Sequence, residues 1–192
     1  ATMDRTPLDL LEAAGIDYLL NPLGQKFEEQ GLAEIISDFD CVIAGTEQIG
    51  SLALQNATKL KLISRVGTGL DSVDLLDARR RGIMVCYTPE APAPAVAELT
   101  LGLMLSLLRS IQVSNMDLHR GDWQRYFGSR LANCTVGVIG AGRIGSRVIR
   151  HLGGFDVKSV LVSDRNQNIV FDERLNTSFV DNQTIFEQAD VI

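Results

Sequence analysis

Positive charge, histidine, paired cysteine and long apolar runs are all scarce in this 192-residue chain, and each scarcity excludes something. Lys and Arg number 18 against 24 Asp and Glu, a net charge of -6 that opposes the phosphate backbone of nucleic acid and an anionic membrane surface. No uninterrupted apolar stretch, Leu101 to Leu105 included, approaches the roughly 20 residues a bilayer span needs, so neither nucleic acid nor membrane is an expected partner. Cys41, Cys86 and Cys134 lie far apart, form no C-x-x-C pair and leave one over, which argues against a disulfide framework and against a metal site. Beside apolar and β-branched neighbours they read as small core hydrophobes suited to a reducing cytosol. No basic region followed by an apolar run opens the chain, so a cytoplasmic protein is expected, and Ala1-Thr2-Met3 reads as an expression remnant.

What is present is 45% hydrophobic residues, enough to fill a core, arranged as short apolar runs alternating with segments of helical period. That alternation predicts an α/β protein. Residues 8–14 read as a helix ended by Gly15, residues 16–20 as a strand, 25–37 as a helix and 40–44 as a buried strand. A helical stretch at 51–56, a strand at 60–65, a helix at 71–81 closed by Gly82 and a strand at 83–86 follow. Pro92 and Pro94 hold the preceding alanines extended, and Pro94 suits a first helical turn. From there Val96, Leu99, Leu103, Leu107 and Ile111 recur at three- and four-residue steps, with Leu101, Met104, Leu105 and Leu108 beside them, so the spacing predicts a long helix buried on most of its surface. His119 to Trp123 marks an exposed turn between two halves.

In the second half, Thr135 to Ile139 is strand-like and runs into Gly140-Ala-Gly142-Arg-Ile-Gly145, where a helix opens; residues 157–163 supply a second strand ending at Asp164. Strand, G-x-G-x-x-G, helix, strand and acid in this order form a dinucleotide-binding pattern of about thirty residues. Gly140 permits the turn, Gly142 removes a Cβ that would block a pyrophosphate, and Gly145 lets the helix pack against the sheet. Amides from Arg143, Ile144 and Gly145 then point at phosphate with a helix dipole behind them, and Arg143 covers the pyrophosphate with its side chain. Asp164 accepts from ribose hydroxyls and repels a 2′-phosphate, which predicts NAD over NADP, although Arg165 beside it would partly offset that repulsion.

The runs Ser64-Arg-Val-Gly-Thr-Gly-Leu-Asp-Ser-Val-Asp74, Pro89-Glu-Ala-Pro-Ala-Pro-Ala-Val-Ala-Glu-Leu-Thr100 and Val136 to Gly145 resemble the D-isomer-specific 2-hydroxyacid dehydrogenases, the first two most closely the phosphoglycerate dehydrogenase branch. Trp123 also falls where that family usually places a tryptophan.

The resemblance implies a flavodoxin-like substrate domain over residues 1–90, without its first strand, and the N-terminal half of a Rossmann NAD-binding domain over 91–192. It implies that Val66, Gly67, Thr68 and Gly69 hold a substrate carboxylate through main-chain amides, with Thr68 also touching the nicotinamide end. The family's catalytic arginine, glutamate and histidine have no counterpart here and would lie beyond residue 192, so no residue is assigned a catalytic role and a shortened, inactive chain is expected. His119 and His151 read as cations at helix C-termini, and Arg65 belongs to a different motif from the family's catalytic arginine. A homodimer and a small 2-hydroxy or 2-oxo acid as substrate are likewise implied. The alternative function is a non-catalytic NAD-binding module, as in corepressors built on the same fold.

Overall fold

The computed structural model describes residues 4–192; Ala1-Thr2-Met3, and with them the reading as a remnant, lie outside the described residues. The chain divides into two compact units, Ala1–Tyr87 and Thr88–Ile192. Both are α/β, each built on a three-stranded parallel sheet.

In the first unit, α1 (Thr6–Ala13) ends at Gly15, whose φ of +67° is the left-handed conformation that closes a helix. α2 (Glu29–Ile35) passes through a 3-10 turn at Ile36–Asp38 into β1 (Cys41–Ala44). α3 (Ser51–Asn56), β2 (Leu62–Arg65), α4 (Leu75–Arg80) and β3 (Met84–Tyr87) follow, and the strands run in the order β1-β2-β3. Glu29 Oε1 accepts from the amides of Leu52 at 3.1 Å and Ala53 at 3.4 Å, so one helix supplies the N-terminal cap of another. The Asp74 carboxylate caps α4 by accepting from the Asp77 amide at 2.9 Å. Ile36, Ala44, Ile49, Ala53, Leu54, Ile63 and Ala78 form the centre of this core.

Three expectations for this unit are corrected. Residues 16–20 form no strand: no described strand pairs with them, and Ile16, Leu19 and Leu20 are exposed. A β run without a partner ladder leaves its amides to water, and local sequence cannot supply that partner. The helix foreseen from residue 25 starts at Glu29, because Glu28 is extended and Phe27 is drawn into the core. Cys41 and Cys86 are exposed rather than core. The strand pleat puts both on the face shared with Ile43 and Met84, which is also exposed, while Ala44 and Ile63 point into the core.

In the second unit α5 (Ala93–Leu108) and α6 (Ile111–Arg120) are separated by a 64° bend at Arg109 and Ser110, the latter left-handed at φ 52°. β4 (Thr135–Ile139), α7 (Gly145–Leu152), β5 (Ser159–Ser163), β6 (Thr177–Phe179) and α8 (Asn182–Gln188) complete it. Val136, Val138, Val160 and Val162 meet α7 residues Val148, Ile149 and Leu152, with Ala97 and Met104 of α5 and the buried Cys134 in the same core. On the opposite face α8 packs so close that a Cβ at Gly137 would lie 2.5 Å from Ile185.

The long helix is not buried on most of its surface. Only Ala93, Ala97 and Met104 of α5 are buried, whereas Leu99, Leu103 and Leu107 are exposed, as are Ile111 and Trp123 beyond it. The apolar stripe is wider than the face that the unit's own core covers. No single helix among the described residues is long and apolar enough to cross a membrane.

Candidate functional site

β4 occupies a topological switch point. β5 pairs with it on one side, and on the other Val191 bridges Val136 in parallel while the Gly137 amide donates to the Val191 carbonyl at 2.8 Å. In open parallel sheets the crevice at the carboxyl ends of strands lies where the strand order reverses, and the Gly140 to Gly145 loop leaves β4 at that end.

The loop is shaped by two close constraints. Gly140 has φ +93°, and its amide donates to the Ser163 carbonyl at 2.8 Å. At Gly145 an ideal Cβ would lie 2.0 Å from the Gly140 carbonyl oxygen and 3.3 Å from Val138, so only glycine lets α7 begin this near the strand. Gly142, by contrast, faces open space. No backbone carbonyl among the described residues accepts from the amides of Gly142, Arg143, Ile144 or Gly145, and α7 follows immediately with Ile144 as its N-terminal flank. Unpaired amides at a helix start with room in front of them suit an anion.

Asp164 sits just past β5, half-buried, and binds that loop: Oδ2 accepts from the Ala141 amide at 2.7 Å and Oδ1 from the Asn166 amide at 2.7 Å. These two N–H groups, Asn166 first, hold its carboxyl below the usual carboxylate range, and Arg165 adds to the effect. Each oxygen uses one lone-pair direction in this way and keeps another for a hydroxyl donor.

Arg143 turns elsewhere. Its Nε donates to Glu90 Oε1, while Arg147 Nη2 donates to Glu90 Oε2 at 3.3 Å and Arg147 Nη1 to the Arg143 carbonyl. The Arg143 hydrogen bond is the chief reason the Glu90 carboxyl titrates below its ordinary range. Sequence alone does not single out Glu90, because 53 positions separate it from Arg143 and no spacing rule connects them.

In the first unit, Val66, Gly67, Thr68 and Gly69 form the turn after β2, with the Val66 amide donating to the Ala44 carbonyl at 2.8 Å and Thr68 exposed. Gly67 has φ +136°, and the Arg65 guanidinium lies across the place its Cβ would fill while donating to the Val66 carbonyl. His119 Nδ1 lies 2.8 Å from the Asn115 carbonyl within α6, and His151 is in the last turn of α7.

With this geometry in hand, the likenesses to known proteins are specific. The family described as D-isomer specific 2-hydroxyacid dehydrogenase, catalytic domain, is matched by residues 4–189. A hydroxypyruvate reductase of Thermotoga maritima is 32% identical over 176 residues, covering 90% of this chain and 56% of the relative. A D-3-phosphoglycerate dehydrogenase of Methanocaldococcus jannaschii is 38% identical over 136 residues, 69% of this chain and 26% of the relative. The solved structure of the TT0316 protein from Thermus thermophilus superposes with a TM-score of 0.80 at 28% identity, covering 97% of this chain and 60% of that one. The chain thus spans little more than half the length of the first of these relatives.

The Asp164 anchor makes a test independent of any ligand. A carboxyl depressed in the folded state stabilises the loop fully above its ordinary pKa of about 3.9 and loses that contribution as pH falls through the lower folded value. Hydrogen exchange at the Ala141 amide should be slow at neutral pH and accelerated there by Asp164→Ala. Exchange in the variant as slow as in the parent would show that the carboxylate does not order the loop.

Proposed function

Because the chain belongs to the D-isomer specific 2-hydroxyacid dehydrogenase family, we propose that the protein transfers a hydride between NAD and a small D-2-hydroxy acid, of the phosphoglycerate dehydrogenase kind. The single observation that carries this is the Asp164 carboxylate hydrogen-bonded into the Gly140 to Gly145 loop at the switch point of its sheet. Open space at Gly142 and the unpaired amides before α7 fit a dinucleotide's diphosphate. Gly140, Gly142, Arg143, Ile144, Gly145 and Asp164 would hold NAD, which when bound supplies the hydride acceptor or donor. The amides receive the diphosphate, Arg143 adds its guanidinium, and Asp164 accepts from the adenosine ribose hydroxyls.

Residues 1–90 act in this reading as the substrate domain and 91–192 as the N-terminal half of the NAD domain. Val66, Gly67, Thr68 and Gly69 would form the turn that receives a carboxylate, the Val66 amide itself being committed to the Ala44 carbonyl, with Thr68 also reaching the nicotinamide end. The glycines at 67 and 69 support this, since neither places a side chain between the main chain and a small anion. The exposed stripe of Leu99, Leu103, Leu107 and Ile111 supports a homodimer, and the exposed thiols of Cys41 and Cys86 suit a reducing cytoplasm. In this reading neither histidine is assigned as a proton acceptor; His119 Nδ1 lies against the Asn115 carbonyl of its own helix and His151 is in the last turn of α7. The 192-residue chain is accordingly inert by itself in this proposal.

Three measurements test the reading. In equilibrium titration, Asp164→Ala should weaken NAD by about 10- to 150-fold, the loss expected for charged hydrogen bonds of roughly 1.5–3 kcal/mol, and weaken NADP much less; equal losses would show that the acid does not read the ribose. Sedimentation should find a dimer that Leu103→Glu dissociates, whereas a monomeric parent would refute the role given to the stripe. A steady-state assay with NADH and hydroxypyruvate, 2-oxoglutarate or glyoxylate should show no turnover by the isolated chain; rates near about 10 s⁻¹ would require a proton acceptor among the residues present.

A further inference from the structure

We propose that Glu90 competes with the dinucleotide's diphosphate for Arg143 and thereby sets how tightly the cofactor is held. The proposal rests on the reading of the Gly140 to Gly145 loop given above, and names a residue that regulates it. Arg143 belongs to the loop by its main chain, yet its side chain is engaged by a carboxylate from the segment that precedes α5. A guanidinium turned toward Glu90 through Nε has to give up or share that bond to reach a phosphate oxygen.

Three features make the exchange practicable. Both partners are exposed, at 56% for the Arg143 side chain and 60% for that of Glu90, and such pairs are weak in water. A diphosphate is a doubly charged acceptor whose oxygens match the guanidinium fork, so it outcompetes one carboxylate. Glu90 also keeps a second cation when Arg143 leaves: Arg147, only 27% exposed, reaches the other carboxylate oxygen and is tied back to the Arg143 carbonyl. The carboxylate is therefore never stranded, and the loop's own carbonyl stays anchored during the exchange. α7 itself carries no acid, and at its start Glu90 is the carboxylate paired with the two arginines, Arg143 and Arg147.

A contrary role would have the opposite sign. If Glu90 served to aim Arg143 at the phosphates, its removal would loosen the arginine and weaken binding. The experiment is equilibrium titration of the parent chain, Glu90→Gln, Arg143→Gln and the double variant with NAD and with adenosine, at low ionic strength where charge effects are largest. Competition predicts NAD bound roughly two- to fivefold tighter by Glu90→Gln, the range of an exposed ion pair, with adenosine, which lacks the diphosphate, unchanged. In the Arg143→Gln background the same substitution should have no effect, because the contested guanidinium is gone. Weaker or unaltered NAD binding in Glu90→Gln, or an equal gain without Arg143, overturns the proposal while leaving the loop's reading intact. NAD that binds none of the four proteins overturns the loop's reading, and this proposal with it.

Discussion

The 2.0 Å that would separate a Cβ at position 145 from the Gly140 carbonyl is the constraint on which the second unit's arrangement depends. With hydrogen in that place, α7 starts almost on the strand it follows, and Val148, Ile149 and Leu152 reach Val136, Val138, Val160 and Val162. Close packing of this kind has no slack: widening the approach by a methyl would separate the largest fully buried side chains of the unit from one another. The same approach turns the first amides of the helix toward the carboxyl end of β4. Core packing and anion geometry are therefore two results of one missing atom.

That coupling explains what could be read in advance. The glycine pattern and Asp164 were legible because they obey a local rule, strand to turn to helix to strand, in which each residue's job follows from its neighbours. The α/β alternation was legible for the same reason. Residues 16–20 were not, because a strand exists only through its partner. Cys41, Cys86 and Cys134 have similar neighbours in sequence, yet only Cys134 is buried. The difference lies in which sheet face a helix covers, which local pattern does not encode.

The α5 stripe shows how periodicity can be read correctly and burial wrongly. Leucines at three- and four-residue steps define an apolar face, but the single long helix expected is two, broken by the 64° bend at Arg109 and Ser110, and of α5 only Ala93, Ala97 and Met104 are buried. Leu101, Leu105 and Leu108 pack partly against the unit's own core beside Met104, while Leu99, Leu103 and Leu107 point outward. The pattern specifies that the face is to be covered and leaves open by what, so an association surface and a core helix are indistinguishable by spacing alone.

At the loop two acids face different partners, and in the proposed reading geometry gives them opposite senses toward a bound diphosphate. In the competition proposed for Arg143, Glu90 holds the cation that a phosphate would use, so its charge would subtract from anion affinity. Asp164 is equally negative, yet its oxygens are turned to the Ala141 and Asn166 amides, so its charge goes into holding the loop in shape. A carboxylate has about four lone-pair directions, and two backbone donors leave two for a diol. The residue proposed to read a ribose is thus also the residue that bonds the Ala141 amide of the loop. Truncating Asp164 removes both functions together, whereas an isosteric asparagine keeps one carbonyl acceptor and converts the other oxygen to a donor. Asp164→Asn separates the two roles, since one orientation of the amide can preserve the Ala141 contact while losing the charge and half of the acceptors that a ribose requires.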